Sequence, residues 1–74
     1  MHWVASEVRD EAYRASMLSV VHKLAHEFPT TSFIAVARAT NAVRRRAAFD
    51  GQGELDPCSV YRLAHRSLLQ TARG

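Results

Sequence analysis

The chain reads as an all-α protein, a small three-helix bundle with an extended first helix. Alanine and arginine are the commonest of its 74 residues and leucine recurs among them, which favours helix in nearly every segment. Runs of alternating β-branched residues, the mark of strands, are absent. Two breaks, "HEFPTTS" and "FDGQGELDPCS", divide the chain into three helical stretches.

The first helix is predicted over about residues 5–27. Pro29 disfavours helical geometry at Phe28 and has no amide hydrogen, so the helix stops near Glu27. The second, about 32–48, can be capped by Thr30, Thr31 or Ser32, and it ends where Asp50 and Gly51 tolerate a left-handed turn. The third, about 57–72, has the clearest start. Asp56 can accept a bond from an orphan amide, and Pro57 takes the first helical position, where no donor is missed. With no repeat or low-complexity segment, residues 1–74 read as one domain.

Spacing residues at about 100° around each helix shows the face it should bury. The second helix offers Phe33, Val36, Thr40, Val43 and Ala47. The third offers Val60, Tyr61, Ala64 and Leu68, with Leu63 and Ala72 at the margins, against a polar stripe of Ser59, Arg62, Arg66, Gln70 and Arg73. The first helix behaves differently along its length. Its second half aligns Tyr13, Met17, Val20, Val21, Leu24 and Phe28, whereas Val4, Val8, Ala12 and Ala15 fall on nearly the opposite face. A helix of about 20 residues spans roughly 30 Å, more than two shorter partners can cover. Trp3, Val4, Val8, Ala12 and Ala15 are therefore the candidate interface for a second copy of the chain. The alternative is a helix that starts late or bends near Ala15, folding Trp3 and Val8 back onto the core.

A domain of this size buries only about 60% of the surface its unfolded chain exposes, and such scaffolds usually add a disulfide, a metal or a partner. The single Cys58 excludes an internal disulfide and points to a reducing compartment. The opening "MHWVASEVRD" carries acidic residues where a signal peptide needs an apolar stretch, and no run of about 18 apolar residues is present. The expected location is cytoplasmic, without membrane insertion. The net charge of +3 is uneven: residues 31–74 hold seven basic and three acidic groups, residues 1–30 three and four. An anionic partner would meet the second half.

Few residues suggest chemistry. His22 and His26, four apart, could share a metal with Cys58 or His65, but no paired-Cys or "HExxH" motif accompanies them, and they read as solvated surface groups. Cys58, in the first turn of the third helix, could be activated by the helix dipole, yet His65 lies two turns away, so a partly buried, inert cysteine is expected. Glu7, Asp10 and Glu11 read as an acidic first turn that suits the dipole. Gly51 and Gly53 follow a helix instead of joining a strand to one, so they make no phosphate cradle. No catalytic residue, cofactor, metal or small-molecule substrate is expected, and the protein reads as no enzyme.

The arginines divide into two sets. Arg44, Arg45 and Arg46 spread over about 200° of the second helix and read chiefly as cations on its last turn. Arg62, Arg66 and Arg73 fall within about 40° of one another on the third helix and form a basic stripe. With Arg45 and Arg46 as neighbours, that stripe is the candidate surface for DNA or RNA, since a last helix can enter the major groove. Against it, the "AAFDGQGELD" connection exceeds the tight turn of a helix-turn-helix, and residues suited to reading bases are sparse.

At "LAHEFPTTSFIAVARATNAV" and "SVYRLAHRSLL" the chain resembles small bacterial three-helix-bundle dimerisation domains, which occur alone or ahead of low-molecular-weight phosphatase and arsenate-reductase-like domains. Leu24, Phe28, Val36, Val43, Ala64 and Leu68 carry the resemblance over about residues 17–70. The "FP" step is also similar to that of ubiquitin-binding three-helix domains, whose leucine-rich end "NAVRRRAA" does not reproduce. The first resemblance implies a non-catalytic association module without cofactor. With no phosphatase-type loop in this sequence, it brings no catalytic residue.

Overall fold

A computed structural model describes the backbone of residues 2–73 and the side chains of residues 8–72. Three helices follow in order, α1 (His2–Glu27), α2 (Phe33–Phe49) and α3 (Pro57–Arg73), each packed against the other two. The described residues contain no strand, and the protein is an all-α three-helix bundle. α1 begins three residues before the start expected near residue 5, and α2 runs one residue past Ala48.

Local chemistry accounts for each boundary. α1 closes before the Phe28–Pro29 step. Ser32, in extended geometry, caps α2: its Oγ accepts from the Ala35 N–H at 3.1 Å. At the other end the Asp50 N–H donates to Arg46 O (2.9 Å), and Gly51 turns the chain at φ +77°, a conformation costly for any residue with a Cβ. Asp56 caps α3, with one carboxylate oxygen accepting from the Ser59 N–H at 3.1 Å and the other from the Ser59 hydroxyl at 2.6 Å. These two bonds hold the Asp56 carboxyl below its usual value of 3.8, the hydroxyl bond contributing most.

The core is built from Met17, Val20, Val21 and Leu24 of α1, Val36 of α2, and Val60, Ala64 and Leu68 of α3. Tyr13, Phe28, Val43 and Tyr61 pack partly buried around it. Leu24 has no exposed surface, and burying such a side chain contributes about 1.5–3 kcal/mol. Thr40, the only buried polar residue among those described, returns its hydroxyl to Val36 O at 3.0 Å, so no donor is orphaned.

Three expected core positions are not core. Phe33 keeps 49% of its surface exposed, Leu63 38%, and Ala72 is exposed. Each lies at the edge of its stripe, and in a three-helix arrangement no fourth helix reaches that edge. Phe33 opens α2 and rests its ring on His22 with centroids 5.6 Å apart.

The 26 residues of α1 span about 39 Å, against about 26 Å for the 17 residues of α2 or α3. Among the described side chains Tyr13 is the first in α1 to meet the bundle. Its hydroxyl donates to Leu55 O at 3.0 Å, and the Arg44 guanidinium lies over its ring at 5.3 Å. Residues 2–12 continue beyond it for about 16 Å, and the molecule measures 49 × 26 × 18 Å.

Candidate interaction surfaces

The outer face of α1 is open. Val8 is 61% exposed, and Ala12 and Ala15 are exposed as well; the side chains of Trp3 and Val4 lie outside the described residues. Val8 is not folded back on the core, since α1 runs as one helix from His2 past Ala15. Because α1 starts at His2, Glu7, Asp10 and Glu11 occupy its second and third turns and not the first. The dipole's influence fades within one turn, so it does not account for these acids.

Sequence periodicity missed part of this surface. Leu18 is 55% exposed. The signal for Leu18 was its position three residues beyond Ala15, which carries the outer face of α1 past the projecting segment and alongside the bundle. Phe33, resting on His22, adds apolar surface beside that face.

The basic residues separate into different environments. Only Arg46 lies in the last turn of α2, and its Nε bonds Asp50 at 3.2 Å; Arg44 and Arg45 sit one turn earlier. That pair is solvent-exposed and contributes little stability. Arg44 is occupied with Tyr13. Arg45 and Arg38 border a groove of about 820 Å³ between α2 and α3, whose floor includes Ala35, Ala39, Ala42 and Leu68. Arg62 and Arg66 stand together on α3 beside His65 and Gln70, around a separate shallow depression. Neither has a carboxylate partner among the described residues. The side chain of Arg73 lies outside them.

A third depression, about 360 Å³, runs between α1 and α3, lined by Ser16, Ser19, Lys23, Pro57, Cys58 and Tyr61. Cys58 is exposed there, contrary to the partly buried position expected, because the second residue of α3 faces this groove and not the core. Across it the Tyr61 hydroxyl donates to Glu27 Oε1, and Lys23 Nζ sits 4.7 Å from the Tyr61 ring centre. The bond to Glu27 raises the Tyr61 phenol above its usual 10.0, with desolvation and the carboxylate's charge adding to it. His65 stacks edge-on against Phe28 at 5.2 Å. His22 and His26 are exposed, and among the described residues no three His, Cys, Asp or Glu side chains stand close enough to hold a metal ion. No helix among these residues is long and apolar enough to cross a membrane.

These features define a three-helix bundle that keeps one face of its longest helix, and one basic face of its last, open to solvent. Compared with protein-family models, curated proteins and solved structures, the chain matches none.

Proposed function

We propose that the protein is a non-catalytic interaction module that forms homodimers through the N-terminal part of α1. The observation that carries this reading is Val8, 61% exposed on a helical segment that runs about 16 Å past the bundle. Ala12 and Ala15 continue the apolar face, and a second copy is the simplest cover for it. The resemblance to small bacterial dimerisation domains agrees with this role. Sedimentation velocity from low to high micromolar concentration should show a dimer that Val8→Glu converts to monomer. A wild-type monomer throughout, unaffected by Val8→Glu, would overturn the reading.

A second reading rests on Arg62 and Arg66, exposed side by side without ion-pair partners among the described residues. It makes the chain a small DNA- or RNA-binding regulator using α3, with Arg73 extending the stripe and Arg45 and Arg46 contributing charge from α2. Duplex DNA should then bind with an affinity that falls steeply with salt and vanishes in an Arg62→Glu/Arg66→Glu variant. No binding at low salt would exclude it.

A further inference from the structure

We infer that α1 pairs with α1 of a second copy in antiparallel orientation, along a seam from Val8 to Ala25 that continues well past the projecting segment. This inference rests on the reading that the chain homodimerises through α1, and it names the register. Val8, Glu11, Ala15, Leu18, His22 and Ala25 alternate at spacings of three and four residues. An average of about 3.5 residues is the repeat of a helix–helix seam, and it keeps these positions on one side of the helix. The first five are exposed and Ala25 is partly so, while the opposite side of α1 holds Met17 and Leu24 in the core. One helix therefore presents two lines of side chains, one for the bundle and one unpartnered.

The composition of the unpartnered line selects its occupant and orientation. In an antiparallel pair centred between Ser16 and Met17, Val8 lies opposite Ala25, Glu11 opposite His22, and Ala15 opposite Leu18, each pair occurring twice by symmetry. Each larger apolar side chain, Val8 and Leu18, then faces an alanine. Each Glu11 carboxylate faces an imidazole that can donate an N–H to it. A parallel pair would instead set Glu11 against Glu11 and Leu18 against Leu18, placing like charges together. Phe33, half exposed with its ring on His22, lies at the end of the seam where the partner's Val8 arrives and extends the apolar cover there. Ala12 and Ser19, exposed on the flank, let the helices approach closely. The same register gives Glu11 a role that the helix dipole does not supply.

Sedimentation equilibrium on the intact chain tests this, with circular dichroism to check that each variant remains folded. Leu18→Glu should weaken the dimer at least tenfold. Glu11→Lys should weaken it as well, and Glu11→Lys/His22→Glu should restore it by exchanging the pair. Leu69→Glu, on an exposed part of α3, should leave it unchanged. A dimer abolished by Val8→Glu but indifferent to Leu18→Glu, or a charge exchange without rescue, would overturn the seam while leaving dimerisation through the N-terminal part of α1 in place. A wild-type chain that stays monomeric would remove both.

Discussion

Tyr61 joins two helices with a single ring: its hydroxyl donates to Glu27 of α1, and its face receives the Lys23 ammonium. Ionising the phenol would remove the donor and leave two negative groups side by side. Because the folded-state value is raised above 10.0, chiefly by the Glu27 bond, the contribution is complete below pH 10 and disappears as pH rises through that raised value. The urea midpoint of the wild-type chain should therefore fall more steeply above pH 10 than that of Tyr61→Phe, and parallel profiles would show that the bond adds nothing. Individual core positions were legible where a residue lies at the centre of a stripe, as Leu24, Val36 and Val60 do. They were not legible at the edges. Angular spacing places Phe33 and Leu63 beside the core direction but carries no information about how far a neighbouring helix extends, and that reach decides exposure. Cys58 escaped for the same reason, since the second residue of α3 borders a groove whose existence depends on the spacing of α1 and α3.

Helix boundaries depend on chemistry within a few residues, which is why they were read closely from the sequence. Pro57 preceded by Asp56, and Phe28 followed by Pro29, each determine the backbone on one side regardless of tertiary context. Of the three candidates offered for the α2 cap, the geometry selects Ser32, which accepts the Ala35 amide. Ser32→Ala should cost about 1 kcal/mol, a fall of about 4–8 °C in Tm for a domain of this size, whereas Ser32→Asn should retain most of the cap. An unchanged Tm in the alanine variant would show that the α2 terminus is held by packing alone. The start of α1 was harder to place because no proline, glycine or clear cap precedes the helix in "MHWVASEV". Its earlier beginning moved three acids out of the dipole's range, changing their meaning without moving them in the sequence.

Across the whole molecule, α1 accounts for about 39 Å of the 49 Å long dimension, and the bundle proper occupies only part of it. A 74-residue chain with no disulfide has little stability to spare, so covering the α1 face would link folding to association. Tm should rise with protein concentration over the micromolar range, and Leu18→Glu should have a lower, concentration-independent Tm. A wild-type Tm independent of concentration would argue against any stabilising dimer. The mismatch in helix length was legible from the positions of the breaks, and so was the apolar side of Val8. The continuation through Leu18 to His22 was not, because a line of alternating small, apolar and polar residues does not resemble a buried stripe until its exposure is known. The two sets of arginines were legible in the sequence, but that they border different depressions, Arg45 at one groove and Arg62 at another, depends on how α2 and α3 pack.

The segment ahead of Tyr13 has one more consequence. Within residues 8–12 the backbone bonds run along the helix itself and no side chain packs into the core, so this stretch can open locally while the bundle stays intact. Ordering it costs conformational entropy, which any partner pairing with it would have to offset. The length that creates the surface thus also tempers the strength of its use: pairing through it would be reversible, and the amide protons of residues 8–12 would exchange with solvent at a rate set by how much of the chain is paired.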